Sequence, residues 1–116
     1  NNLDSPVVVE GHSDTLALRS LGYHGDVIEL NDGRSVLSTV EKLAQKLGTS
    51  GTFVVMTDWD RTGGRLAKQL KEYGESSDLM PNDQIRRELA IASSKDISCV
   101  EELPKLIQTL RSVCDP

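Results

Sequence analysis

Aromatic residues are scarce in this chain, with one Trp, one Phe and two Tyr among 116 residues. The hydrophobic core therefore has to be built from Leu, Val, Ile and Ala. Apolar residues make up 37% and charged residues 27%, which is ordinary for a globular chain. The length is near the commonest domain size, so we expect one domain, residues 1–116.

Long apolar runs and cysteine clusters are also absent. The longest apolar run, Phe53 to Met56, is far shorter than the ~20 residues that a membrane span needs, so no membrane association is predicted. The two cysteines, Cys99 and Cys114, have no further Cys or His nearby and suit neither a disulfide scaffold nor a zinc site. We interpret them as reduced thiols of a cytoplasmic protein.

Positive charge is in deficit, because 13 Lys and Arg face 18 Asp and Glu, giving a net charge of −5. Proteins that coat DNA without sequence preference rely on Lys and Arg to neutralise phosphates, so that class is disfavoured. A site that meets phosphate through a bound metal ion is compatible with the acidic balance.

Short apolar segments alternate with amphipathic ones over the first 74 residues. The predicted strands are Val7–Val9, about Asp26–Leu30 and Thr52–Thr57. The predicted helices start at caps Ser13 and Ser35 and near Thr62, and they end at Gly22, Gly48 and Gly74. The order β-α-β-α-β-α predicts an α/β fold with a parallel sheet.

The rest of the sequence is less regular. An edge strand is predicted around Asp78–Met80, and Asn82 is expected to cap a following helix. A last helix is predicted from apolar spacing over Leu103–Val113. This C-terminal helical part, 82–116, carries no motif, and it could cover the sheet or serve a homodimer or a protein partner.

Acidic residues follow two of the predicted strands directly, Glu10 after the first and Asp58 and Asp60 after the third. Ligands of parallel sheets bind at the carboxyl ends of strands, so these are the candidate catalytic and metal-binding residues. Paired carboxylates repel each other unless a cation lies between them, and Mg²⁺, with Mn²⁺ as a possible substitute, accepts such ligands. Turn and helix-cap roles for Asp58 and Asp60 are the alternative.

Neighbouring residues are secondary candidates. Asp14, in the first turn of the first helix, could join the metal site, although an acid there also suits the helix dipole. His12 could contact a phosphate of the nucleic acid or be an exposed loop residue. Gly11 and Gly63 are expected to be structural, allowing a turn or a close backbone approach to the ligand.

One face of the third predicted helix is basic, with Arg61, Arg65 and Lys68 at i, i+4 and i+7. Because this stripe begins beside the proposed metal site, we expect it to bind phosphate groups, and a merely solvated face is the alternative. Arg34, Arg86 and Arg87 could extend the track, although the sequence does not place them there.

Two motifs resemble those of the TOPRIM family. Residues 7–14 (VVVEGHSD) are similar to the first motif, a hydrophobic strand ending in Glu-Gly with an Asp three residues on. Residues 57–63 (TDWDRTG) are similar to the second, Asp-x-Asp-x-x-Gly. The resemblance covers roughly residues 6–74 and extends to bacterial primases, topoisomerases, OLD-type nucleases and the small ribonuclease that matures 5S ribosomal RNA.

The resemblance implies a compact Rossmann-like fold with three α/β/α layers and a mostly parallel sheet of about four strands. It implies that Glu10 is a general acid/base or metal ligand and that Asp58 and Asp60 bind Mg²⁺. The implied activity is phosphodiester chemistry on RNA or DNA. Because no accessory domain accompanies the motifs, a stand-alone nuclease or a primase-like nucleotidyl-transfer enzyme fits better than a topoisomerase.

Two other functions stay open. One is a catalytically silent TOPRIM module that binds nucleic acid or a protein partner, which the acidic charge favours. The other is a haloacid-dehalogenase-type phosphatase, because Asp58–Thr62 also fits Asp-x-Asp-x-Thr, with Asp58 as nucleophile and Asp60 as acid/base. That motif normally lies on the first strand of its domain, whereas here two strand-helix units precede it.

Overall fold

A computed structural model describes residues 5–31 and 35–93. Strands and helices alternate throughout this part of the chain. In order they are β1 (Val7–Val9), α1 (His12–Ser20), β2 (Val27–Glu29), α2 (Val36–Leu47), β3 (Thr52–Val55), α3 (Arg61–Ser76), β4 (Met80–Asn82) and α4 (Gln84–Ser93).

The four strands form one parallel sheet in the order β2-β1-β3-β4. β1 lies between β2 and β3, with Val8 opposite Ile28 on one side and Val55 on the other. This confirms the predicted α/β fold with a parallel sheet of about four strands. Because the chain passes from β1 to β2 and then crosses to β3 on the other side, the strand order reverses between β1 and β3.

Two apolar clusters cover opposite faces of the sheet and give the fold its three layers. On one face, Val8 and Phe53 pack with residues of α2 and α3, including Leu43 and Leu70. On the other face, Val7, Val9 and Met56 pack with Leu18 of α1 and Leu89 of α4. Successive strand residues point to opposite faces, so the short Val7–Val9 run contributes to both cores.

The second helix has the predicted bounds because both of its ends carry strong signals. The Ser35 side chain accepts a hydrogen bond of 3.1 Å from the Ser38 amide, which satisfies one free donor of the first turn. At the other end Gly48 has φ +77°, a conformation that glycine adopts without strain.

Two predicted helix limits are wrong. Gly11, not Ser13, occupies the cap position of α1, and Ser13 lies within the first turn. Gly74 does not end α3, which continues to Ser76. A Cβ on Gly74 would lie 3.1 Å from the Phe53 ring, so this glycine instead allows α3 to pack closely on the sheet.

The strand predictions need smaller corrections. β3 ends at Val55, two residues before the predicted Thr57. The edge strand is Met80–Asn82 rather than Asp78–Met80, because Asp78 adopts φ +60° in the preceding turn. Asn82, the predicted cap, is the last residue of β4 and lies two residues before α4, where its side chain accepts a hydrogen bond of 3.0 Å from the Gln84 amide.

Cys99, Cys114 and the predicted helix over Leu103–Val113 lie outside the described residues. Within residues 5–31 and 35–93, no helix is both long enough and apolar enough to cross a bilayer.

Candidate functional site

Glu10 and Asp58 meet where the strand order reverses. Glu10 directly follows β1, and Asp58 lies three residues beyond β3. The Asp58 amide donates a hydrogen bond of 2.7 Å to Oε2 of Glu10. Since ligands bind at such switch points in parallel sheets, the contact places the acids of both motifs at the expected position for a ligand.

The second motif folds into a tight turn at the start of α3. Asp60 is the cap of α3, and its Oδ1 accepts a hydrogen bond of 2.7 Å from the Gly63 amide. Gly63 packs against the preceding chain so closely that an added Cβ would overlap the Asp58 carbonyl. The helix-cap role considered for Asp60 is therefore real, and it uses one oxygen of that carboxylate.

Similar hydrogen bonds fix the backbone within the first motif. The Gly11 amide donates a hydrogen bond of 3.0 Å to Oδ2 of Asp14, which is only 5% exposed. The Asn31 amide donates to the Glu10 carbonyl at 3.1 Å, and a Cβ on Gly11 would lie 3.0 Å from the Asn31 side chain. The backbone that carries Glu10 is thus fixed on both sides.

Arg86 is a contact residue of the second motif that the sequence did not place. It comes from α4, is 9% exposed, and donates from Nε to the Thr57 carbonyl at 3.0 Å and from Nη2 to the Asp58 carbonyl at 2.6 Å. Thr57 is itself fully buried, and its hydroxyl donates to the Gly63 carbonyl at 2.7 Å. The one sequence signal for this burial was that Arg86 lies three residues before Leu89, which places both side chains on the inward face of the helix.

Burial lowers the pKa of Arg86, while the negative charges of Asp83, Glu10, Asp60 and Asp58 act in the opposite direction. The guanidinium therefore lies within the electrostatic field of the acids of both motifs. A buried cation is tolerated where carboxylates and hydrogen-bond acceptors compensate for its lost hydration.

A second cluster lies at the end of β2. Oε2 of Glu29 accepts hydrogen bonds from the Thr15 hydroxyl at 2.6 Å and pairs with Nδ1 of His12 at 3.1 Å. The hydrogen bond from Thr15, and to a smaller extent the one with His12, lowers the pKa of the Glu29 carboxyl. The His12 side chain remains 72% exposed. Glu29 thus positions His12 at the rim of the site, a role that the sequence did not indicate.

The predicted basic stripe lies on the outer face of α3. Arg61, Arg65 and Lys68 are exposed there, whereas Ala67 and Leu70 on the inner face are buried. The stripe starts at the residue after Asp60 and runs along the helix away from the switch point.

Two further cations near β4 and α4 are engaged by one acid. Lys71 lies 3.5 Å from Asp83, and Arg87 lies 3.2 Å from it. The basic stripe of α3 therefore consists of the three predicted residues, because Lys71 pairs with Asp83 instead.

The carboxylates of the switch point suit a hard divalent cation by their chemistry. Among the residues that the structure describes, no three His, Cys, Asp or Glu side chains already surround one point. Mg²⁺ does not require such a cage, because it usually binds through one or two carboxylates and fills its other positions with water and phosphate oxygens. Each carboxylate has two oxygens, so the hydrogen bonds of Glu10 and Asp60 are compatible with metal binding.

Comparison with known families gives the class of the protein. The family model for the Toprim domain matches residues 5–91, which include both motifs and Arg86. The chain belongs to the Toprim domain family, as the two motifs predicted. Toprim domains generally bind divalent metal ions, and membership supports a metal-dependent role related to nucleic acid.

The similar curated relatives are UPF0292 proteins of archaea. The one from Methanosarcina barkeri is 40% identical over 105 residues, covering 90% of this chain and 71% of that protein. The one from Methanosarcina acetivorans is 38% identical and covers 91% and 71%. The one from Thermococcus onnurineus is 34% identical and covers 97% and 81%.

Two solved structures share the fold. A protein from Aquifex aeolicus superposes with a TM-score of 0.71 at 25% identity, covering 85% of this chain and 84% of that one. A small TOPRIM domain protein from Bacillus stearothermophilus superposes with a TM-score of 0.52 at 22% identity, covering 96% and 88%. At that identity the second similarity concerns the fold alone.

Proposed function

We propose that this chain is a Mg²⁺-dependent enzyme that cleaves phosphodiester bonds of RNA or DNA. The observation that carries the proposal is the 2.7 Å hydrogen bond from the Asp58 amide to Glu10, which joins the acids of both motifs at the switch point. An exposed cation, Arg61, follows Asp60 directly and begins the basic stripe, so metal-binding and phosphate-binding groups adjoin.

In this mechanism Asp58 and Asp60 hold the metal, with Mn²⁺ as a possible substitute. The bound ion supplies charge neutralisation at the scissile phosphate. Glu10 moves a proton to or from the attacking or leaving oxygen. The hydrogen bond from the Asp58 amide orients the Glu10 carboxylate towards the Asp-x-Asp turn. Asp14 fixes the backbone next to Glu10, because its carboxylate accepts a hydrogen bond from the Gly11 amide.

The flanking nucleic-acid backbone would be held by the exposed cations. Arg61, Arg65 and Lys68 lie in one row on α3, and guanidinium groups match phosphate oxygens in geometry. His12, fixed by Glu29 on the other side of Glu10, would contact the phosphate on the opposite flank. The substrate would thus cross the switch point from α3 towards α1.

The first test is a calorimetric titration of Mg²⁺ and Mn²⁺ into wild type and into the double variant Asp58→Ala/Asp60→Ser. Serine at position 60 can still cap α3, so the variant removes both carboxylates without removing the cap. Asp78→Asn is the matched control, because Asp78 is exposed in the turn before β4. The proposal requires binding in wild type and the control and its loss in the double variant.

The second test is cleavage of structured RNAs and of DNA with and without Mg²⁺ or Mn²⁺. Binding without cutting would favour the silent module, an alternative supported by the net charge of −5. Turnover of p-nitrophenyl phosphate would favour the phosphatase. In that class the Asp-x-Asp motif normally lies on the first strand, whereas here it follows β3.

A further inference from the structure

Arg86 is the buried cation of the described part of the chain, and its hydrogen bonds go to the motif backbone. Its Nε donates to the Thr57 carbonyl and the Thr57 hydroxyl at 3.0 and 3.1 Å, and its Nη2 donates to the Asp58 carbonyl at 2.6 Å. Burying a guanidinium is unfavourable unless its donors are satisfied. Here that condition is met by oxygens of Thr57 and Asp58, so the compensation for burying Arg86 comes from the motif itself.

The two carbonyls that Arg86 binds are those of Thr57 and Asp58, at the start of the Asp-x-Asp turn. They lie beyond Val55, where β3 ends. On the other side of the turn, the Thr57 hydroxyl donates to the Gly63 carbonyl in the first turn of α3. The guanidinium fork therefore connects the end of β3, the start of α3 and helix α4 at one point.

We propose that Arg86 is a positioning residue, whose guanidinium fork holds the turn that presents Asp58 and Asp60 to the metal ion. The assignment rests on the proposed function of that turn. The residue acts through the turn, because its hydrogen bonds go to the Thr57 and Asp58 carbonyls and the Thr57 hydroxyl rather than to the reacting groups.

A role in charge balance is the competing explanation, and it predicts the opposite sign. Asp58, Asp60 and Glu10 act on Arg86 electrostatically, so its charge must also repel a divalent cation bound among them. If Arg86 served only to balance charge, removing it would tighten metal binding. If it positions the turn, removing it weakens metal binding in spite of that electrostatic gain.

The experiment compares Mn²⁺ affinity by calorimetry in wild type, Arg86→Met, Arg86→Lys and Arg87→Met. Lysine keeps the charge but loses the planar fork, so both Arg86 variants should bind Mn²⁺ about 10- to 100-fold more weakly, as for loss of other groups that support metal ligands. Arg87 is the matched control, because it is exposed and pairs with Asp83, and Arg87→Met should bind like wild type.

A second readout is independent of the metal. Amide NMR shifts of Asp58, Gly63 and Gly64 in metal-free protein should change in Arg86→Lys and stay as in wild type in Arg87→Met. If Arg86→Met does not fold, Arg86→Lys decides. Unchanged or tighter Mn²⁺ binding in the Arg86 variants overturns the inference.

Failure of the proposed metal site would look different. Wild type would then bind no Mn²⁺ at all, and the amide shifts alone would judge whether Arg86 holds the turn. Unperturbed shifts in Arg86→Lys would overturn the positioning role in that case as well.

Discussion

The Asp58 amide donates a hydrogen bond of 2.7 Å to the Glu10 carboxylate across 48 residues of sequence. The bond exists because β1 and β3 are neighbours in the sheet, with Val8 opposite Val55. Glu10 and Asp60 are held by different groups. One oxygen of the Glu10 carboxylate is bound by the backbone of the Asp-x-Asp turn, whereas one oxygen of the Asp60 carboxylate is bound by the first turn of α3.

The proposed roles of Glu10 as acid/base and Asp58 as metal ligand predict different effects of isosteric substitutions. Glu10→Gln should lower turnover by about 10²- to 10⁴-fold, the usual contribution of a general acid or base, while metal affinity stays close to that of wild type. The glutamine oxygen can still accept the Asp58 amide, so the fold should be kept. Asp58→Asn should lower both turnover and Mn²⁺ affinity.

Single-turnover cleavage and calorimetry on the same preparations measure the two quantities. Glu72→Gln, on the exposed side of α3, is the control for loss of one carboxylate. Equal loss of metal affinity in Glu10→Gln and Asp58→Asn would show that both residues are simple ligands.

Adjacent glycines of α3 should respond in opposite ways to alanine. A Cβ on Gly63 would overlap the Asp58 carbonyl, whereas a Cβ on Gly64 would meet only Nη2 of Arg86, at 3.8 Å. Gly63→Ala should therefore lower the free energy of unfolding by about 3 kcal/mol through overpacking. Gly64→Ala should raise it by about 0.5–1 kcal/mol, because alanine is the better helix former.

Urea unfolding of the two variants and wild type measures this difference. A Gly63→Ala protein as stable as wild type would mean that the turn before α3 shifts readily, and the close approach would then be unimportant for stability.

The salt dependence of binding reports on the basic stripe. Each phosphate contact contributes about 0.9 to the slope of log affinity against log salt on duplex DNA and about 0.7 on a single strand. Replacing Arg65 and Lys68 by Gln should lower the slope by about 1.4–1.8. Fluorescence anisotropy without divalent metal measures it, and Lys42→Gln, an exposed lysine of α2, should leave the slope unchanged.

The Thr15–Glu29 hydrogen bond should make stability depend on pH. It lowers the pKa of Glu29 in the folded state, so its stabilisation is present above the unfolded pKa, about 4.3, and is lost as the pH falls through the folded pKa. Thr15→Val should cost about 1 kcal/mol near neutral pH and progressively less in acid. Thermal unfolding over that pH range measures the cost, and Thr15→Ser should behave like wild type at every pH.

The sequence predicts the first three strand-helix units well because their signals are local. For α2, a serine cap, apolar spacing and a terminal glycine all agree, and the observed bounds match. Gly74 shows the limit of such signals, because a glycine that ends a helix and one that admits an aromatic ring look alike in sequence. Contact with Phe53 is a property of the folded sheet.

The site is less predictable than the fold because it depends on the strand order. Glu10 and Asp58 were placed at strand ends from their positions after apolar runs, but their contact requires β1 to lie beside β3. Glu29 was missed because it lies within the predicted second strand, and its contacts with His12 and Thr15 depend on how α1 packs beside that strand. Arg86 depends on how α4 packs under β3, and neither residue carries a local motif.

The pairing of β1 with β3 also has a consequence for biosynthesis. Each neighbouring strand pair is joined by a helical crossover, so the described sheet has no hairpin that could form early from nearby residues. Ribosomes add about 5–20 residues per second, and Asp58 follows Glu10 by 48 positions, which take roughly 2–10 s to synthesise. During that interval the Val7–Val9 segment has no partner on its β3 side, and a nascent chain stalled before β3 would expose it to chaperones.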